Sequence, residues 1–412
     1  MKKTISIFVL ALIAISASSQ PLTYDQYCKL VAEKNASYLA EKYNVDISEA
    51  SLQAARVFND PELSVSYGNN QDWNLQMGQS VEAGLSISPD LAGVRRARVA
   101  VAENENDITK ASVAAYLSNL RFEAAQAWAE AWRLRESCAV LEKSLADMEQ
   151  IAQTDSLRLT LGDIGKADAM QSRLEAHALK GELSIMQADY RNALCTVSLF
   201  CGGEPVGSLA GDLPSNAILT SESETVYLAE ANRADLKAAQ LSKTLSENNL
   251  KLVQASRAFE MGIDLGYSYN TEVLNEIAPA PRFNGLTVGI SIPLKFSGFN
   301  KGEINAARAE MLQSEKYSEA ARLQVRSEAS QAYNSLVAAM SVKNQYSESI
   351  LADAEEILEA RKTGYLKGES SLIELLSAQQ TYSDVMMSYI DACCNSFICK
   401  AALDQATGCI IK

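Results

Sequence analysis

The sequence predicts a mixed α and β fold: long coiled-coil helices joined to four transmembrane-type β-strands, in a chain that duplicates itself. Three observations predict it. A set of motifs recurs about two hundred residues apart. An apolar stripe with a 3.5-residue period runs through long segments. Four short segments alternate strictly between apolar and small or polar residues.

The duplication is explicit. Gly84-Leu85-Ser86-Ile87 returns as Gly289-Ile290-Ser291-Ile292, Gly93 as Gly298, and Gln126-Ala127-Trp128 as Gln331-Ala332-Tyr333. The offset is 205 each time (289 − 84, 298 − 93, 331 − 126), and Gly162 and Gly368 continue the match with one residue of slip. Solenoid units run roughly 20–50 residues, so a repeat this long is one large supersecondary unit copied once. Its order is helix, strand, strand, helix, helix. The chain therefore divides into residues 20–210 and 211–412, preceded by a signal segment, 1–19.

That signal comes first in the chain. Met1-Lys2-Lys3 is positive, the run from Ile5 to Ala17 is apolar, and Ser18 and Ser19 are small. A positive start, an apolar core and a small-residue cleavage site make a secretory signal, with cleavage expected before Gln20. The run is short of the roughly 20 apolar residues a membrane-spanning helix needs. No later helical run reaches that length. A membrane form must then be a closed β-barrel, the other way to satisfy backbone groups in lipid.

The strands follow. Leu63, Val65 and Tyr67 alternate with Glu62, Ser64, Ser66 and Gly68, and Val81, Ala83, Leu85 and Ile87 with Ser80, Glu82, Gly84 and Ser86. In the second repeat, Met261 to Tyr269 and Leu286 to Ile292 do the same. This pattern over about 10 residues marks a transmembrane barrel strand. Half-buried soluble hairpins can produce any one such segment. Four of them, paired at matching repeat positions, favour the barrel. Leu265, Tyr267, Val288 and Ile290 are expected to face lipid, and Asp264, Ser268 and Ser291 the lumen. Four strands cannot close, since about eight is the minimum. Three chains related by cyclic symmetry give a twelve-stranded barrel. The loops at Gln71–Gln79 and Thr271–Phe283 are expected outside the cell. Pro89 and Pro293 mark the exits into the long helices, because proline cannot donate to a ladder.

The helices carry the stripe. Leu117, Leu120, Ala124, Ala127, Ala131, Leu134 and onward to Met148 and Ala152 step by three and four, the period of a left-handed coiled coil. The second copy runs from Val325 to Ala360, interrupted by Lys343 and Asp353, and a third stripe runs from Leu375 to Ala406. Nothing breaks the pattern from Gly93 to about Leu161, a rod of roughly 100 Å at about 1.5 Å per residue. Two glycine turns reverse the helices: Leu161-Gly162-Asp163-Ile164-Gly165 and Leu366-Lys367-Gly368 through Ser371. Glycine stops a helix, and a small residue three positions on caps the next; Gly165 is a weak cap and Ser371 a good one.

Composition excludes several functions. A net charge of −14 disfavours nucleic acid as a partner. A single histidine, His177, argues against a His-rich metal site. Eight cysteines in an exported chain permit disulfides, with Cys195 and Cys201 matched by Cys393, Cys394 and Cys399 at the repeat ends. Buried thiols are the alternative, and no spacing reads as a zinc site. No nucleophile–base pair, phosphate loop or metal cluster stands out, so no enzyme and no cofactor is expected. Arg95, Arg96 and Arg98 read as a solvated face at the strand–helix junction.

The two elbows, Gly84-Leu85-Ser86-Ile87-Ser88-Pro89 and Gly289-Ile290-Ser291-Ile292-Pro293-Leu294, and the turn Gly364-Tyr365-Leu366-Lys367-Gly368 with Glu374-Leu375-Leu376-Ser377-Ala378-Gln379, resemble the TolC-like outer-membrane efflux factors. The resemblance covers essentially the whole mature chain. It implies a homotrimer with a twelve-stranded barrel in the lipid of the outer membrane of a Gram-negative bacterium, on a long α-helical coiled-coil barrel crossing the periplasm. It implies the exit duct of a tripartite efflux or secretion system. Cargo would pass passively from an inner-membrane transporter through a periplasmic adaptor (a membrane fusion protein), docked at the tips Leu161, Gly162, Asp163, Ile164, Gly165, Leu366, Lys367, Gly368 and Ser371. The family closes its periplasmic end with acidic side chains just after the second turn. Glu374 falls on the first of these positions, and Ser377 where some members carry a second acid. The first-repeat equivalent of Glu374 is Asp168 (374 − 206). The alternative for both acids is a helix-start role favoured by the helix dipole. The alternative for the chain is a soluble periplasmic coiled-coil scaffold or adaptor, which has no need of alternating strands. Drug, metal ion and protein all remain open as cargo.

Overall fold

The computed structural model describes residues 21–409 except 71–75, 215–220, 258–259, 295–300 and 347. The expected signal segment, 1–19, and the repeat marker Gly298 lie outside the described residues. The elements are α1 Tyr24–Lys34, α2 Ala36–Arg56, β1 Glu62–Asn69, β2 Gln79–Ile87, α3 Val94–Leu161, α4 Lys166–Phe200, α5 Glu222–Asn232, α6 Ala234–Ser256, β3 Gly262–Asn270, β4 Phe283–Ser291, α7 Gly302–Gln345, α8 Glu348–Lys367 and α9 Leu372–Thr407. They form two compact units, and each unit draws segments from both halves of the chain.

The first helix of each repeat is two helices, not one. The chain bends at Asn35 between α1 and α2, and at Arg233 between α5 and α6, both in extended conformation. At each bend a polar side chain is tied to another element. Asn35 donates from Nδ2 to the Phe200 carbonyl at 3.4 Å, and Arg233 pairs with Glu328. The second half differs from the first at one further point. Where α3 runs unbroken for 68 residues, α7 ends at Gln345 and α8 begins at Glu348. The break falls between Lys343 and Asp353, the two charges that interrupt the apolar stripe.

One unit comprises Tyr43–Ser112 and Asp235–Ala321 and holds the sheet. Its four strands are antiparallel in the order β1-β2-β3-β4, so β1 and β4 are both edges. Register aligns the alternation across all four. Leu63, Leu85, Leu265 and Val288 form one row, Val65, Ala83, Tyr267 and Leu286 the next, and Tyr67, Val81, Tyr269 and Asn284 the third. A one-residue slip would send every one of these side chains to the other face. The rows make a continuous apolar face, and it is open: Leu63, Val65, Leu286, Val288 and Ile290 are all well exposed.

The opposite face is built from small and acidic residues. Ser64, Gly84, Gly266 and Thr287 form one row, Ser66, Glu82, Ser268 and Gly285 another, and Glu62, Ser86, Asp264 and Gly289 a third. Glycine repeatedly stands opposite a hydroxyl. A Cβ on Gly84 would lie 2.7 Å from Ser64 Oγ, and one on Gly285 2.5 Å from Ser268 Oγ. Ser86 donates to Asp264 Oδ1 at 2.6 Å.

At the end of the sheet, Asp90 accepts from the backbone N–H groups of Val94 and Arg95, each at 2.8 Å, and so starts α3. Arg95 and Arg96 are exposed, and the solvated face expected at Arg95, Arg96 and Arg98 is corrected for Arg98, which is half-buried. Arg98 donates to the carbonyls of Ala55 and Val57, at 3.3 and 3.0 Å, and Arg95 to that of Arg56 at 3.5 Å. These guanidinium groups satisfy the last carbonyls of α2, which no helical N–H can reach.

The other unit comprises Met1–Lys42, Val113–Ala234 and Arg322–Lys412. Its core is aromatic and alanine-rich. Tyr27 stacks on Trp128 with ring centroids 5.1 Å apart, and Tyr24 meets Phe397 edge-on at 5.3 Å. Ala124, Ala125, Ala129 and Ala131 are buried on α3 beside them. Small side chains at these positions let α1 and α9 approach α3 closely. All eight cysteines are free thiols, with Cys138, Cys201, Cys393 and Cys394 buried.

Candidate functional site

Two glycine turns end the long helices, and both close the same way. Gly162 has φ +82° and Gly368 φ +81°, the left-handed region that glycine enters without a Cβ clash. At the first turn Gly162 N donates to Leu159 O at 3.1 Å and Asp163 N to Arg158 O at 2.9 Å. At the second, Gly368 N donates to Tyr365 O at 3.0 Å and Glu369 N to Gly364 O at 2.8 Å. This is the Schellman pattern, which satisfies carbonyls left over at a helix end. The helices that follow start differently. Gly165 offers no side-chain cap to α4. Ser371 makes a full capping box with Glu374: its Oγ accepts from Glu374 N at 3.3 Å, and Glu374 Oε2 accepts from Ser371 N at 3.2 Å.

The structure brings the two turns together through α3 and α8. Arg158, one turn before Gly162, donates to the Tyr365 carbonyl at 3.3 Å and lies 5.4 Å from the centre of the Tyr365 ring. The Tyr365 hydroxyl donates to Asp155 Oδ1 at 2.8 Å. Asp155 is 0% exposed, and its Oδ2 has no hydrogen-bond partner. Burial, and then the hydrogen bond to Asp155, push the Tyr365 hydroxyl above its ordinary range, so it stays a donor. Further along the seam Lys362 pairs with Asp147, Lys143 with Glu355, and Gln379 donates to Ser144 Oγ at 2.6 Å.

The residues expected to act lie around this latch. Leu161 is 76% exposed at the first tip, and Leu366 is exposed at the second. Asp163, Gly162 and Gly165 flank Ile164 in the first turn; Lys367, Gly368 and Ser371 form the second. Asp168 lies in the first turn of α4 and Glu374 in the first turn of α9. The Glu374 carboxylate also accepts from Arg361 at 3.4 Å. Sequence reasoning did not single out Asp155, Arg158 or Arg361. A signal for Asp155 was available: the stripe that passes Met148 and Ala152 reaches Asp155 at its next step of three, a charge on a buried seam.

Among the described residues no group of His, Cys, Asp and Glu could hold a metal ion. No described helix is long and apolar enough to cross a membrane. The exposed apolar sheet face is the feature with membrane character.

A family model for outer membrane efflux proteins matches residues 225–409. The cobalt-zinc-cadmium resistance protein CzcC of Cupriavidus metallidurans is 23% identical over 94% of this chain and 90% of its own length. The outer membrane efflux protein BepC of Brucella suis is 22% identical over 91% and 83%. Among solved structures, CusC superposes with a TM-score of 0.73 at 17% identity, covering 93% of this chain and 92% of its own. VceC of Vibrio cholerae gives 0.75 at 17%, covering 93% and 95%. The second half of the chain thus matches the outer membrane efflux protein family, and nearly the whole chain resembles proteins named as its members.

The fold is the TolC-like combination of long helices and four antiparallel strands. The relative BepC is named as an outer membrane protein, a setting that suits an open apolar sheet face.

Proposed function

We propose that three copies of the chain form a homotrimeric exit duct for cationic cargo. Each copy would give its four strands to one twelve-stranded barrel, with the apolar rows against outer-membrane lipid and the small, acidic rows around the lumen. One observation carries this reading. The four strands present three carboxylates, Glu62, Glu82 and Asp264, on one face, no lysine, arginine or histidine anywhere, and two unpaired edges at β1 and β4. Unpaired edges are untenable in lipid, and joining β4 of one copy to β1 of the next removes them. Rings of Asp and Glu favour cations. The relative CzcC is named for resistance to cobalt, zinc and cadmium, which agrees with a cationic cargo.

In this reading the two repeats, residues 20–210 and 211–412, contribute equivalent hairpins to the wall. The tips at Leu161–Gly165 and Leu366–Ser371 are the docking surface for a periplasmic adaptor that links the duct to an inner-membrane transporter. Asp168 and Glu374 stand at the periplasmic end as pore gate residues. Because Glu374 is shared between its cap and Arg361, its ring would carry less effective charge than free carboxylates.

Mass measurement in detergent tests the assembly, and a trimer is expected. A monodisperse monomer that needs no detergent would refute it. Leu161→Glu and Leu366→Glu test docking: export should fall while the amount of trimer in the membrane stays unchanged. Export that survives both changes would place docking elsewhere.

A further inference from the structure

Among the residues of the four strands, the polar face carries a single bulky apolar side chain. That residue is Phe283, on a face otherwise built of Ser, Thr, Gly, Asn, Asp and Glu. It ends the row Gly68, Ser80, Asn270, Phe283. The row lies at the end of the sheet away from α3 and α7, where the β1–β2 and β3–β4 connections emerge. The residue is more than half exposed.

Register decides which face it belongs to. Tyr67 and Tyr269 lie at nearly the same level, in the adjacent row, on the apolar face, where barrel proteins place their interfacial aromatic girdle. Phe283 points to the other side. The Asn270–Phe283 pairing continues without a slip to the bridge between Val273 and Ala280, so no bulge rotates the ring back. An aromatic ring above a wall bearing Glu82 and Asp264 is the combination that holds organic cations. The carboxylates attract the charge, and the ring face binds it.

We propose that Phe283 is a specificity-determining residue: three copies form an aromatic collar at the outer mouth that retards bulky aromatic cations while small ions pass. The proposal rests on the trimeric duct reading above. Single-channel recording of the full-length protein in planar bilayers tests it, with tetraphenylphosphonium as the probe and potassium as the carrier. Phe283→Ala should weaken block roughly two- to five-fold, the size of one exposed cation–π contact. Phe283→Leu keeps apolar bulk without the π face and should weaken it nearly as much. Phe283→Tyr should retain block, and Asn284→Ala, one residue along on the opposite face, should leave it unchanged. Undiminished block in both the Ala and Leu variants, in trimers of normal size, overturns the collar and leaves the duct standing. A wild-type protein that forms neither trimer nor channel sinks both.

Discussion

Replacing Tyr365 with phenylalanine removes one oxygen and tests what holds the two helical hairpins together. The hydroxyl it deletes donates at 2.8 Å to Asp155, a fully buried carboxylate whose other oxygen is already unpartnered. A hydrogen bond to a charged group contributes about 1.5–3 kcal/mol. Stripping a partner from a buried ion pair costs about 3–5 kcal/mol. The lower range applies here, because the phenyl ring remains and Arg158 keeps its place over it. The expected loss is therefore about 2 kcal/mol of local stability. Opening of the turn should rise roughly ten- to hundred-fold, since each 1.4 kcal/mol is a factor of ten. Amide hydrogen exchange across Arg361–Glu374 reads this directly. Asp155→Asn should cost less, because its amide oxygen still accepts from the tyrosine. The pH dependence follows from the sign of the shift. The hydroxyl is raised in the folded state, so its stabilisation is fully present below the ordinary tyrosine value of about 10 and is lost as pH rises beyond it. Wild type should lose protection in that alkaline window, and the phenylalanine variant should show no such step. Unchanged exchange in Tyr365→Phe at neutral pH would mean that the latch does not hold the turn.

Three further outcomes are expected. Ile290 and Ser291 are neighbours on opposite faces of β4, so Ile290→Arg should impair membrane insertion by about 2–4 kcal/mol if near mid-membrane and Ser291→Arg much less; equal membrane yields of the two variants would contradict the register. Burial pushes the Cys201 thiol up to about 11 and, with Glu130 adding to it, the Cys394 thiol up to about 12. At pH 8 iodoacetamide should label exposed Cys195 and Cys409 first, and mass spectrometry showing Cys394 modified as fast would refute the assignment. Glu374→Ala should raise single-channel conductance or weaken block by multivalent cations, and Asp168→Ala should do so less. If both variants conduct as wild type does, the two acids serve only to start α4 and α9.

The sequence by itself determined the element types and their faces. Alternation with period two has one meaning in a strand, so the rows through Leu85 and Ser86 were readable before any pairing was known. The 3.5-residue stripe fixed the buried side of α3, and φ-positive turns at Gly162 and Gly368 followed from glycine alone. The duplication made each half corroborate the other, and the motifs at Tyr365 and Glu374 located the second turn. Tertiary structure decided what depends on partners distant in the chain. The bends at Asn35 and Arg233 have no proline or glycine to announce them; they exist where side chains reach Phe200 and Glu328. Arg98 looks like surface charge until the carbonyl end of α2 is placed beside it. Asp155 and Tyr365 are 210 residues apart, and their hydrogen bond arises only when α8 lies along α3. Local patterns record which side of an element avoids water, because that is set by near neighbours along the chain. A buried polar contact is set by which elements meet, and only the folded chain specifies that.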